Sequence, residues 1–135
     1  MILLDTHALI WFVEGNSVLR PLVRSTIEAS ADDGEALVSV ISLLEIGMLV
    51  AKNRVQLSEE IADWTRKVLS APGVSLAALT PEIAIGSAFM PVGMHADPAD
   101  RLLVATARAL DATLVTHDRR ILRYGEAGHL KVLAA

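Results

Sequence analysis

The sequence predicts an α/β fold in which a parallel β-sheet is covered by helices on both faces. Short strand-like runs alternate with helical segments along the whole 135-residue chain, which is the pattern of parallel strands joined by helices. The first of these runs, Ile2-Leu3-Leu4, is continuously apolar, as in a parallel strand that is buried on both faces. Because no internal repeat or low-complexity linker interrupts this alternation, we expect a single domain over residues 1–135.

The predicted strands are short apolar runs that end at polar residues or turns. The first, Ile2-Leu3-Leu4, ends abruptly at Asp5. Turn signals at Gly34, Pro72-Gly73 and Asp111-Ala112 precede the next three strands. Strands are predicted over residues 2–4, 36–40, 74–79, 113–116 and 130–133.

The predicted helices begin at capping residues or prolines and carry apolar stripes. Thr6, Ser58 and Asp97 are predicted N-caps. Ser42, with Glu45 three residues later, matches a capping box. Helices are predicted over residues 7–13, 21–31, 42–49, 58–69, 80–89, 98–110 and 119–124.

The composition restricts the class of protein. The absence of cysteine excludes disulfides, thiolate nucleophiles and cysteine zinc sites, and it favours an intracellular location. No apolar run approaches the ~18 residues that span a bilayer. No basic segment precedes the N-terminal apolar run, as it would in a signal peptide. We therefore expect a soluble cytoplasmic protein with no membrane association.

Four acidic residues fall where predicted strands end or where neighbouring helices begin. Asp5 follows the first strand directly, and Asp118 ends the fourth. Glu45 and Asp100 lie in the first turns of two helices. All these positions belong to the carboxyl-end edge of a parallel sheet, where ligands bind. Each acid alone can be explained as a cap or turn residue, but a single shared site explains all of them together.

A cluster of carboxylates at this edge would need a cation. Two unit charges ~4 Å apart repel by about 4 kcal/mol at an effective dielectric of about 20. Hard oxygen ligands without cysteine favour Mg²⁺ or Mn²⁺ over zinc, and such an ion can activate water against a phosphodiester. The net charge of −4 reflects 12 basic and 16 acidic residues. Assigning four acids to a metal site balances the remaining charge, so acidity does not exclude a nucleic-acid substrate.

Four motifs, in order along the chain, resemble those of PIN-domain proteins. They are residues 3–11 (LLDTHALIW), 38–47 (VSVISLLEIG), 95–107 (HADPADRLLVATA) and 114–119 (LVTHDR). The resemblance covers essentially the whole chain and is greatest to the VapC toxins of bacterial type II toxin–antitoxin pairs. Four ordered motifs are far more specific than any single acidic residue.

The resemblance implies an α/β/α sandwich around a parallel sheet of order 3-2-1-4-5. It also implies an Mg²⁺- or Mn²⁺-dependent endoribonuclease that leaves a 5′-phosphate and a 3′-hydroxyl, forms a homodimer and is neutralised by a cognate VapB-type antitoxin. By motif, the catalytic and metal-binding residues are Asp5, Glu45, Asp100 and Asp118. Asp97 matches an extra acid of some members and is an auxiliary candidate. The hydroxyls of Thr6 and Thr116 are further auxiliary candidates for positioning water or metal.

Other functions compete with this one. His7 and His117 flank two of the acids and could cleave RNA through its 2′-hydroxyl without metal, but the acids would then be unexplained. A non-catalytic PIN-like module that holds a metal or a partner is a second alternative, although all four acids are present. A phosphorylated receiver domain is disfavoured because Thr6, not a second acid, follows Asp5.

Cations and tryptophans near the same edge have two interpretations each. Four arginines can contact RNA phosphates or form solvated faces and salt bridges; they are Arg101, Arg119, Arg120 and Arg123. Trp11 and Trp64 lie at helical spacing within apolar stripes, which favours core or dimer contacts over base stacking.

Overall fold

The computed structural model describes residues 1–135 and contains one parallel sheet of five strands. The strands are β1 (Ile2–Leu4), β2 (Ala36–Ser39), β3 (Val74–Ala77), β4 (Thr113–Thr116) and β5 (Val132–Ala134). Their order is β3-β2-β1-β4-β5, which confirms the expected topology. Leu3 of the central strand pairs with Leu37 of β2 and Leu114 of β4. The carboxyl ends of these three strands therefore lie side by side.

Helices cover both faces of the sheet, as predicted. They are α1 (Thr6–Val13), α2 (Pro21–Asp32), α3 (Val40–Ala51), α4 (Ile61–Ser70), α5 (Pro81–Gly86), α6 (Pro98–Ala109) and α7 (Arg119–Glu126). Alternation along β1 separates two apolar cores: Ile2 and Leu4 pack with α1, α2 and α4, whereas Leu3 packs with α6 and α7. None of the helices has the length and apolar character that crossing a membrane requires.

The helix after β2 begins earlier than predicted, and its cap is a different serine. The hydroxyl of Ser39 accepts a hydrogen bond from the N–H of Ile41 at 3.0 Å and caps α3. Ser42, the predicted cap, is fully buried, and its hydroxyl has no hydrogen-bond partner. The helix therefore starts at Val40, and Glu45 lies in its second turn, where a capping box does not need it.

Ser58 does not cap α4, which begins at Ile61 without any side-chain cap. Its backbone N–H instead donates to the carboxylate of Glu14 at 2.9 Å. The same carboxylate oxygen accepts from the indole N–H of Trp64 at 3.0 Å. Because Trp64 is 2% exposed, this bond satisfies its polar atom within the core. The core assignment of Trp64 is confirmed.

Three elements near the sheet edges are placed differently from the prediction. β3 stops at Ala77 because its partner strand ends opposite it at Ser39. α5 stops at Gly86, and the carbonyl of Ser87 accepts a hydrogen bond from the Arg101 side chain. β5 is shifted towards the C-terminus because it pairs with the stretch of β4 that ends at Thr116.

Candidate active site

The first part of the site is built where β1 turns into α1. Asp5, rather than the predicted Thr6, caps this helix, because its Oδ1 accepts from the N–H of Ala8 at 2.8 Å. Its Oδ2 accepts from the hydroxyl of Thr116 at 2.5 Å. Thr116 ends β4, the neighbour of β1 in the sheet. Strand pairing therefore holds the buried carboxylate of Asp5 at the carboxyl-end edge.

Glu45 projects from α3 towards the same strand end. Its Oε1 accepts a hydrogen bond from the hydroxyl of Thr6 at 2.6 Å. The capping of α1 by Asp5 leaves the Thr6 hydroxyl available for this contact. Two neighbouring residues of the first motif thus contribute to the site. Asp5 supplies one carboxylate, and Thr6 orients the carboxylate of Glu45.

The start of α6 contributes a third carboxylate. Asp97 caps the helix as predicted, accepting from the N–H of Asp100 at 3.0 Å. The carboxylate of Asp100 lies 2.6 Å from Nε2 of His95, and both side chains are less than one-fifth exposed. His95 therefore fixes the orientation of Asp100.

Asp118 provides the fourth carboxylate from the N-cap of α7. Its Oδ1 accepts from the backbone N–H groups of Arg120 and Ile121. Its own N–H donates to the hydroxyl of Thr116 at 3.1 Å. Asp118, Asp100 and His95 each offer one ligand atom, and these three atoms lie within 4.8 Å of one another. Thr116 thus connects Asp118 to Asp5, since its hydroxyl contacts both residues.

Burial and like charge act together on these acids. Burial raises the pKa of Asp5 above its ordinary value. Burial also raises the pKa of Glu45, and the negative charges of Asp97 and Asp5 raise it further. Burial likewise raises the pKa of Asp100, to which the negative charges of Asp97 and Asp118 add. At Asp118 burial is outweighed by hydrogen bonds from Arg120, so its pKa is lowered. The acids are therefore close enough to repel one another. Because their carboxylate oxygens are hard donors, the cluster fits a divalent cation.

The sequence matches the model of a known family. The PIN domain profile matches residues 2–127. The chain belongs to the PIN-domain family. Ribonuclease VapC22 of Mycobacterium tuberculosis (strain ATCC 25618 / H37Rv) is 34% identical over 120 residues, which cover 89% of this chain and 88% of that relative. The resemblance to VapC-type PIN domains, inferred from four motifs, is confirmed.

Solved structures share the fold of this PIN domain. One is the structure of VapBC2 from Rickettsia felis bound to a promoter DNA fragment. It matches with a TM-score of 0.72 and 19% identity, covering 98% of both chains. A toxin–antitoxin complex from Klebsiella pneumoniae matches with a TM-score of 0.66 and 20% identity, covering 99% of this chain and 97% of the other. At these identities the likeness concerns the fold alone.

The predicted site residues of the PIN domain lie at one edge of the sheet, together with His95, which the sequence did not indicate. The assignment of Asp5, Glu45, Asp100 and Asp118 as metal ligands stays a prediction. The auxiliary hydroxyls of Thr6 and Thr116 contact Glu45 and Asp5, respectively. His95 was not predicted as a site residue, although it precedes the Asp97 cap by only two positions. Its Nδ1 is buried and has no hydrogen-bond partner.

An aromatic group adjoins the carboxylates of the PIN domain. The ring centroids of His7 and His117 lie 4.9 Å apart, and that of Trp11 lies 4.9 Å from His117. Burial and the neighbouring His117 lower the pKa of His7. Trp11 is partly buried and packs against the core, as the helical spacing predicted.

The four arginines differ in what they contact. Arg101 donates from Nε to the Ser87 carbonyl at 2.8 Å and from Nη1 to the carbonyls of Met94 and His95 at 3.2 Å. It therefore anchors the loop before α6. Arg120 pairs with Asp118 and Asp100. Arg119 and Arg123 are exposed and form no salt bridge.

Proposed function

We propose that this VapC-type PIN domain is the endoribonuclease toxin of a VapBC pair, using Mg²⁺ or Mn²⁺ to hydrolyse RNA phosphodiesters with water. The observation that carries this proposal is the convergence of four acids from separate segments on one sheet edge, where burial and mutual repulsion raise the pKa of Glu45 and Asp100. The 34% identity to a ribonuclease across 89% of the chain supports the reaction class.

In this proposal the ion is held by Asp5, Glu45, Asp100 and Asp118. The chemistry that a divalent ion supplies when bound is a lowered pKa for water and stabilisation of negative charge at phosphorus. The chain's own contribution is orientation: Thr116 holds Asp5, Thr6 holds Glu45, and His95 holds Asp100. Such supporting contacts fix ligand geometry before substrate binds. Asp97 positions Asp100 through the helix cap.

A metal-independent ribonuclease is the second candidate because His7 and His117 lie in contact beside the site. In that mechanism one imidazole removes the proton of the 2′-hydroxyl, the 2′-oxygen attacks phosphorus, and the other protonates the departing 5′-oxygen. The product would carry a cyclic phosphate. Water attack supported by the acids would leave a 5′-phosphate and a 3′-hydroxyl.

Metal removal distinguishes the two candidates. We expect EDTA to abolish cleavage of a labelled RNA and excess Mg²⁺ or Mn²⁺ to restore it, because the carboxylates alone supply no nucleophile. The products should end in a 5′-phosphate and a 3′-hydroxyl. Cleavage that persists in EDTA and yields cyclic phosphate would support the histidines instead. A protein that binds Mn²⁺ but cleaves none of several RNAs would support a non-catalytic binding module.

We also propose a homodimer that acts in the cytoplasm and pairs with a VapB-type antitoxin. Two structural neighbours with the same fold are described as VapBC2 and as a toxin–antitoxin complex. Leu44 and Met48 expose apolar side chains on α3, and this apolar surface can form contacts with another chain. Sedimentation equilibrium should give twice the mass of one chain; a single-chain mass at all concentrations would contradict the dimer.

A further inference from the structure

An open cleft of about 370 Å³ lies between α7 and the loop before α6. Arg120 and Arg123, three residues apart on one face of α7, line it together with His95 and His129. No carboxylate lines the cleft. Two other cavities lined by cations are also lined by acids: Asp111 in one, and Glu59 and Asp63 in the other. In a chain with net charge −4, this cleft therefore presents two guanidinium groups with no carboxylate among its lining residues.

The cleft shares one wall with the candidate active site. Nη2 of Arg120 lies 3.3 Å from Asp118 and 3.8 Å from Asp100. His95 lines the cleft and contacts Asp100. Arg123, by contrast, makes no salt bridge and no side-chain hydrogen bond, so its guanidinium has all its donors available.

The walls of the cleft are held in place by several contacts. The hydroxyl of Tyr124 donates to the carbonyl of Pro91 at 2.8 Å. Gly93 lies against the ring of Tyr124. The ring centroids of Tyr124 and His129, a residue that follows α7, lie 4.7 Å apart. Arg101 fixes the end of the same loop through the carbonyl of Met94. The cleft is thus part of the fold.

We propose that this cleft binds a backbone phosphate of the RNA strand next to the cleaved bond, through the guanidinium groups of Arg120 and Arg123. Arg120 is shared: it pairs with Asp118 and Asp100 and moves to the phosphate when a divalent ion neutralises those acids. Its side chain is 56% exposed. Guanidinium groups match phosphate oxygens with two parallel hydrogen bonds. This inference rests on the proposed ribonuclease function.

The shared role of Arg120 gives its removal two opposite effects. Without Arg120, no guanidinium competes with the ion for the carboxylates of Asp118 and Asp100, so Mn²⁺ should bind more tightly. RNA, which loses a phosphate contact, should bind more weakly. Removal of Arg123 should weaken RNA binding alone, because that side chain contacts no acid.

Arg54 is a matched control for charge. It is exposed, forms no salt bridge and follows the C-terminus of α3. This helix starts at the carboxyl-end edge and its 12 residues extend about 18 Å away. Arg54→Ala therefore removes the same charge from the chain at a distance from the cleft.

The first measurement is Mn²⁺ binding to the intact protein by titration calorimetry, without RNA. Arg120→Ala should tighten Mn²⁺ binding about two- to fivefold, the range for loss of an exposed ion pair. Arg123→Ala and Arg54→Ala should leave it unchanged. Unchanged or weaker Mn²⁺ binding by Arg120→Ala would overturn the shared role of Arg120.

The second measurement is the salt dependence of RNA cleavage in saturating Mg²⁺. For Arg120→Ala and Arg123→Ala, KM should rise while kcat stays near that of the unaltered protein. The slope of log kcat/KM against log salt concentration should become shallower by about 0.7 for each. Arg123→Lys should retain the slope, and Arg54→Ala should change neither quantity. If the unaltered protein cleaves RNA with metal but both cleft variants behave like Arg54→Ala, phosphate binding in the cleft is overturned and the ribonuclease proposal stands. If the unaltered protein shows no metal-dependent cleavage, the ribonuclease proposal itself is overturned.

Discussion

Asp5→Asn should lower the rate of RNA cleavage by more than about 100-fold and leave the fold intact. Loss of a contact that only orients a metal ligand costs about 10- to 100-fold, so loss of the charge of Asp5, a proposed ligand, should cost more. The amide retains an oxygen that can accept from the N–H of Ala8, so the cap of α1 survives. Cleavage of a labelled RNA in saturating Mg²⁺ measures the effect, and a thermal melt followed by circular dichroism establishes folding.

Two further variants place this loss on a scale. Asp111→Asn also removes one carboxylate charge, but at a side chain that is 88% exposed and paired only with Lys131; it should cleave RNA normally. Thr116→Val removes the hydroxyl that contacts Asp5 while preserving the shape of β4, and it should lose about 10- to 100-fold. If Asp5→Asn cleaves RNA at the rate of Asp111→Asn, Asp5 is not a metal ligand.

Much of the fold was predictable because it depends on patterns along the chain. The continuous apolar run of residues 2–4 predicts a buried parallel strand, and the alternation of strands with helices predicts two covered faces. The placement of Asp5 and Asp118 then follows, since Asp5 comes directly after β1 and Asp118 comes two residues after the end of the neighbouring strand β4. The strand order came from the resemblance to PIN domains, because alternation alone does not specify which strands pair.

Side-chain partners were harder to predict than positions. A serine before an apolar run is a plausible cap at either Ser39 or Ser42, and only the end of strand pairing decides between them. His95 and Arg101 lie in the motif of residues 95–107, which includes the start of α6, but their contacts depend on how the loop before α6 folds back. The local sequence contains no signal that predicts how this loop folds back onto α6.

Gly73→Ala should destabilise the protein by about 2–5 kcal/mol, through left-handed strain and overpacking together. Gly73 has φ of +78°, and a Cβ there would overlap the carbonyl oxygen of Ala31 and lie 2.5 Å from its carbonyl carbon. Both sides of this contact are backbone, and Ala36 donates to the Gly73 carbonyl at 3.2 Å. Neither side can move without disturbing the end of α2 or the start of β2. Urea unfolding followed by circular dichroism measures the change.

Gly34→Ala separates the two contributions. Gly34 has a similar φ of +74°, but a Cβ there would meet nothing within 4 Å. It should therefore lose only the cost of the left-handed conformation, about 1–2 kcal/mol. The difference between the variants measures the close approach of the turn before β3 to the end of α2. Equal unfolding midpoints for the two variants would mean that this approach relaxes at no cost, and that the packing of α2 against the sheet does not depend on glycine at position 73.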